Sequence, residues 1–396
     1  MTIGDQFLYW VDFDTIFSIG VHTNFKNARV LGEANRLYLK PIKNWFKYLF
    51  STDRAIQRDR VSVLTNQCAD ETGGGCDLRF VTYQTGEDLR AGIIVDEERI
   101  LDVANAFQEA QKAGVVTSDL TSPSSVLDVI SGGDATSKAC KTILSAVIAE
   151  KLPFRGVKTS DVKIVAPIPR PSKNVFCVGS NYRAHVTESN KAQAKEDKSP
   201  KLPVFFTKPP TAVVGPDALV RLDPGVSEKM DYEVELAVVF GTVGRNIAAA
   251  DAIDHIFGFS IANDVTARDL QRAHGGQFLK GKGLDTTCPL GPHIVTIDEL
   301  ENFDNLRISL SVNGEIRQDG NTRDMIFSIP RLIESLSEGL TLEPGDILMT
   351  GTPSGVGYAM DPPNYLRDGD IVACEIEGIG QLRNTIRNTE SSVVAA

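Results

Sequence analysis

Hydrophobic and polar positions change rhythm twice along this chain. Residues 1–76 are aromatic-rich, follow no clear period and end in the turn Gly73-Gly74-Gly75, which sets them apart as an extension without assignable chemistry. From Leu78 the pattern becomes regular. LRFVTYQTG and RAGIIVDEERILDV predict short strands, punctuated at Gly86 and at Asp96-Glu97-Glu98. DVANAFQEAQKAG predicts a helix closing at Gly114, SPSSVLDVISGG a second ending on Gly132-Gly133, and TSKACKTILSAVIAEKL a third. These elements make a small N-terminal α/β domain over 77–160. The three prolines of VKIVAPIPRPSKN mark an extended bridge to the main body. Over 161–390 the runs YEVELAVVFG, LRISLSVNGEI, GDILMTG and DIVACEIEGIGQLRNTI alternate and are bounded by Gly, Asp and Pro. DAIDHIFGFSIA and SIPRLIESLSEGL are expected to be helices. The fold class is therefore α+β and β-rich, with 391–396 as a tail.

The same alternation locates the chemistry. In a strand running from Asp231, side chains switch faces at each step, so Asp231, Glu233 and Glu235 share one face while Val234, Leu236 and Val238 enter a core. Carboxylates crowded together repel unless a cation lies between them or water screens them. An isolated Glu-x-Glu is ordinarily a solvated face. Downstream, however, GFSIANDVTARDLQ delivers Asp264 at the end of an apolar run, where an unpaired acid is costly. Glu233, Glu235 and Asp264 make an all-oxygen set suited to Mg²⁺ or Mn²⁺, with positions left open for substrate.

Other candidates flank this set. VFCVG runs into SNYRAHVTE as a strand into a helix, which makes His185 and Glu188 neighbours at i, i+3. A carboxylate partner fixes the imidazole tautomer and raises its basicity, as a general base requires. The polar stretch that follows reads equally as a loop over the site or as a solvated linker. Arg268 and Gln271 lie on one side of a helix and could reach a bound anion. Gly276 to Lys282 matches the opening of a phosphate-binding loop, but Gly283 stands where a hydroxyl residue is required and no strand leads in, so nucleotide binding is rejected. Lys282 reads instead as a cation near the reacting oxygen. The loop from Gly351 to Gly357, with Thr352, can offer N–H groups and a hydroxyl to a carboxylate.

Composition narrows the partners. A net charge of −11 argues against a dedicated nucleic-acid or anionic-membrane surface. Six scattered cysteines without zinc spacing read as free thiols, Cys68 and Cys76 included. Asp12 and Asp14 interrupt the first apolar stretch, which then fits neither a secretory signal nor a membrane span. Cytoplasm is the expected compartment. A mildly basic amphipathic stretch before residue 51 leaves a mitochondrial address open.

Taken in order, NVFCVGSNYRAHVTE, PVFFTKPPTAVVGP, MDYEVELAVVFG, GFSIANDVTARDLQ, GKGLDTTCPLGP, LSVNGEIRQDGNTRDMIFSIPRLIESLS and LEPGDILMTGTPSGVG resemble the fumarylacetoacetate hydrolase family over roughly 160–388. The resemblance implies a mixed β-roll, a homodimer, and a metal pocket under a lid. It implies Glu233, Glu235 and Asp264 as ligands and His185 with Glu188 as the catalytic dyad. Lys282 would stabilise charge, with Arg268, Gln271 and Thr352 near the substrate. The pattern is closest to the short-form members: acylpyruvate hydrolases, oxaloacetate decarboxylases and hydroxyhepta-dienedioate isomerases. The leading expectation is metal-dependent hydrolysis of a carbon–carbon bond in a small β-diketo acid of the acylpyruvate or fumarylpyruvate type. Decarboxylation of oxaloacetate or isomerisation of a dienedioate is the alternative, and a non-catalytic oxo-acid binding protein the third reading.

Overall fold

The computed structural model describes residues 78–389 apart from 195, 197, 198 and 301. The extension over 1–76, the loop between Cys68 and Cys76, and the tail over 391–396 lie outside the described residues.

Two sheets organise the described chain. The larger has twelve strands, and its central run places Cys288–Thr296, Ile256–Asn263, Val234–Phe240, Ile347–Met349, Val175–Gly179 and Val204–Lys208 side by side. The smaller has five strands, ordered Glu315–Asn321, Arg307–Val312, Ile371–Ile376, Gly380–Asn388 and Leu219–Leu222. Helices are few and short. The architecture is the α+β, sheet-rich one expected.

Strand Val234–Phe240 shows why the larger sheet is stable in the middle. Every residue in it is buried, because both faces of the sheet are covered. Val234, Leu236, Val238 and Phe240 pack with Ile308, Leu310 and Val372 of the smaller sheet and with Leu332 and Ile333 of helix Ile329–Ser337. Ala237 and Val239 face the other way, into a core built with Phe107, Val129, Ile143 and Leu144 of the N-terminal helices. Strand Arg79–Thr85 pairs antiparallel with Cys288–Thr296, so the N-terminal strands continue the sheet of the main body.

The first three helices form as the patterning requires. Asp102 caps Val103–Lys112 by accepting the Asn105 N–H, and Ser125 with Asp128 builds a reciprocal capping box on Val126–Ser131. One expectation fails. DAIDHIFGFSIA is not a helix: a short 3₁₀ turn covers Ala252–His255, and Ile256–Asn263 is the strand between Val234–Phe240 and Cys288–Thr296. A strand buried on both faces loses the alternation that identifies it, and its apolar run then fits a helix equally well.

Candidate metal centre and active site

Two adjoining strands bring the acids together. Glu233 sits just before strand Val234–Phe240, Glu235 lies within it, and Asp264 follows the neighbouring strand Ile256–Asn263. The Asp264 N–H donates to the Glu233 carbonyl at 2.8 Å, and the Glu233 N–H to the Asn263 side chain at 3.0 Å, which locks the two chain ends against each other. All three carboxylates are buried, and each has an oxygen within 4.8 Å of the others. The face they share is interior, not solvated.

Three cations stand among them. Lys282 Nζ bridges Glu233 Oε2 and Asp264 Oδ2, each at 2.7 Å. Lys208 Nζ reaches Asp264 Oδ1 at 2.7 Å and also donates to the Val265 carbonyl. Arg268 spans Asp231 Oδ2 at 2.9 Å and Glu233 Oε1 at 2.6 Å. Four carboxylates thus meet three cations. The acid left over is Glu235, whose one hydrogen bond comes from the Gly351 N–H at 2.7 Å, with no ion pair among the described residues.

This imbalance shows in the protonation preferences. Burial alone would raise the Glu233 carboxyl, but Lys282, Arg268 and His185 more than offset it and hold it well below the usual carboxylate range. Burial, then the charges of Asp264 and Glu233, push Glu235 well above that range. A divalent cation among these oxygens would remove that penalty. The donor set is all oxygen, carries excess negative charge and has the spacing of ligands around one ion, so the residues fit a hard cation such as Mg²⁺ or Mn²⁺.

The dyad forms as its spacing requires. On helix Arg183–Ala192, His185 Nδ1 lies 2.9 Å from Glu188 Oε1. Glu188 is held in turn by the Gly355 N–H, which donates to its two oxygens at 3.1 and 2.9 Å. Arg268 and Gln271 are one turn apart, with the guanidinium donating to the Gln271 side-chain oxygen at 3.3 Å. Asp264 is not on their helix, which starts only at Arg268; Asp264 and Arg268 both bond to Glu233, and Gln271 is reached through Arg268.

The loop after strand Ile347–Met349 presents its N–H groups to carboxylates of the chain itself. Its N–H groups are taken up by the protein's own acids: Gly351 by Glu235, Gly355 by Glu188, and Gly357 and Tyr358 by Asp231 at 2.8 and 3.1 Å. Gly351 and Gly355 sit at φ +97° and +106°, and a Cβ on Gly355 would stand 2.0 Å from the Arg317 carbonyl oxygen. The Thr352 hydroxyl accepts from Gln318 Nε2 at 2.8 Å. Asp231 and Lys208 carry site interactions that the sequence reading left unassigned. Strand alternation already placed Asp231 beside the glutamates; for Lys208, which is fully buried, the available signal was a lone lysine in the apolar run between Phe205-Phe206 and two prolines.

An enzyme with a buried acidic cluster able to hold a divalent cation is the class that fold and site define. The profile of the fumarylacetoacetate (FAA) hydrolase C-terminal family matches residues 174–387. Oxaloacetate tautomerase YisK of Bacillus subtilis is 43% identical over 311 residues, which cover 78% of this chain and 100% of that protein. Human mitochondrial oxaloacetate tautomerase FAHD2A is 44% identical over 269 residues, 68% of this chain and 81% of that protein. Among solved structures, a putative HpcE protein from Mycobacterium smegmatis aligns at TM-score 0.66 and 32% identity, covering 79% of this chain and 100% of its own. The chain belongs to the fumarylacetoacetate hydrolase family.

Proposed function

We propose that this protein is a divalent-cation-dependent enzyme that interconverts the enol and keto forms of a small 2-oxo acid of the oxaloacetate type. The observation that carries the reading is the Glu188 carboxylate, held between His185 Nδ1 and the Gly355 N–H beside the acidic cluster. With Nδ1 facing Glu188, Nε2 is the nitrogen left to exchange a proton with substrate. Tautomerisation asks for only that: a proton leaves C3 to Nε2 and is returned to the oxygen at C2, with no carbon–carbon bond broken.

Glu233, Glu235 and Asp264 would hold the cation, which supplies Lewis acidity toward the 2-oxo carboxylate when bound. Lys282 uses ion pairs to Glu233 and Asp264 to stay at the reacting end of the site as charge develops. The relatives named as oxaloacetate tautomerases support this reading over the acylpyruvate hydrolysis expected from sequence. Hydrolysis would use the same base on an attacking water and break a carbon–carbon bond, whereas decarboxylation releases carbon dioxide from the distal carboxylate to leave an enolate and needs no proton acceptor.

The test is to add purified, Mg²⁺- or Mn²⁺-loaded protein to freshly dissolved oxaloacetate and follow enol absorbance together with pyruvate release. Accelerated loss of enol without pyruvate supports tautomerisation; pyruvate formed in step with it means decarboxylation, and acylpyruvate cleavage would restore the hydrolase. His185→Ala is expected to lower the tautomerisation rate by roughly two to four orders of magnitude while the cation still raises the melting temperature. A variant of undiminished rate removes His185 from the chemistry.

A further inference from the structure

Arg268 and Arg272 lie four residues apart on helix Arg268–Ala273, and side chains at that spacing share a face. Both guanidiniums rest on one aromatic ring: Arg268 Cζ is 4.3 Å from the centroid of Tyr358, and Arg272 Cζ is 5.1 Å from it. Their surroundings differ sharply. Arg268 is buried, and its charge is met by Asp231 and Glu233. Arg272 is exposed, and among the described residues no carboxylate pairs with it. Asp269, the acid on the same helix, instead accepts the Ser227 hydroxyl at 2.6 Å.

The result is a stepped arrangement of positive charge. The inner step belongs to the acidic cluster, and the outer step lies at the surface on the far end of a shared ring contact. The nearby acids are already engaged, Asp231 by Arg268 and the Tyr358 N–H and Asp269 by Ser227, while Gln193 Nε2 donates to the Tyr358 hydroxyl at 3.5 Å and Gln271 lies between the two arginines in sequence. Two cations on one ring repel each other, and an anion beside the outer one relieves that repulsion. A guanidinium offers the paired N–H donors that a carboxylate accepts side by side.

We propose that Arg272 binds the distal carboxylate of a dicarboxylic 2-oxo acid, and so sets the preference of the site for dicarboxylates over monocarboxylates. The inference rests on the function proposed above and specifies its substrate. The inner carboxylate and the 2-oxo group engage the cluster end, while the second carboxylate reaches outward to Arg272. Tyr358 holds the guanidinium in place for it.

Oxaloacetate and acetylpyruvate make a matched pair of probes, since acetylpyruvate carries an acetyl group where oxaloacetate carries its distal carboxylate. Enol–keto interconversion of both is measured with the cation-loaded full chain, as wild type and as Arg272→Gln. The ratio of kcat/KM for oxaloacetate to that for acetylpyruvate is expected to fall roughly tenfold or more in the variant, the size of a lost hydrogen bond to a charged group. The fall should come through KM for oxaloacetate, and Arg272→Lys should recover part of it. A ratio within twofold of wild type overturns the proposal, and so does an equal loss on both probes. Wild-type protein inert toward both probes would instead bring down the functional reading, and this inference with it.

Discussion

Asp264→Ala is expected to reduce activity by roughly a thousandfold or more, because it removes one of the three ligands proposed for a cation that would supply several kcal/mol of charge stabilisation. The same change should cost stability even without a cation. Asp264 is the shared partner of Lys208 and Lys282, both buried, at 2.7 Å each. Among the described residues, removing it leaves Lys208 with only the Val265 carbonyl and Lys282 with only Glu233 as a counter-charge. Breaking a buried ion pair in this way typically costs about 3–5 kcal/mol. Thermal melting with and without Mg²⁺ separates the two effects. Wild type should gain about 2.7 kcal/mol at a cation concentration one hundred times its dissociation constant. The variant should melt lower and gain nothing from the cation. A variant still stabilised by Mg²⁺ to the wild-type extent would take Asp264 out of the ligand set.

The second large effect lies away from the acids. His293 is fully buried on strand Cys288–Thr296, with Nε2 3.2 Å from the Arg79 guanidinium of the neighbouring strand Arg79–Thr85. Burial, and then the Arg79 charge, push its pKa down to about 3. The folded protein therefore keeps His293 neutral at pH values where an unfolded histidine, near 6.5, takes up a proton. Stability from this group is fully present above about pH 6.5 and is lost progressively as pH falls toward 3. Between pH 6.5 and pH 4 the loss amounts to roughly 3 kcal/mol. His293→Gln keeps an acceptor for Arg79 and has no such titration. Urea unfolding across that range should show wild type weakening more steeply than the variant, and parallel curves would contradict the assignment.

Much of the site was legible because three of its signals are local. The i, i+3 spacing of His185 and Glu188 needs only a helix to become a contact. Alternation puts Glu235 on the face opposite Val234 and Leu236, and an acid at the end of the GFSIAN run demands a partner. Thr352 was placed by its loop, but its hydroxyl meets Gln318 from a strand of the other sheet, a pairing that no local pattern encodes. The same limit hid Lys208, which meets Asp264 across 56 residues of chain. Strand Ile256–Asn263 was lost for a different reason. Uniform burial erases the period from which a strand is recognised.

The turn from Gly351 to Tyr358 grips Glu235, Glu188 and Asp231 by main-chain N–H groups alone. For these three grips what the turn must preserve is a path through space; Tyr358, whose ring carries both arginines, is the side chain it must also keep. Ser354, whose N–H holds none of these three acids and whose side chain is only part-buried, should be open to exchange so long as the glycine torsions survive. A shift of the whole turn would move all three acids together, so the cation site, base and arginine anchor proposed on them could not be tuned one at a time by reshaping this segment.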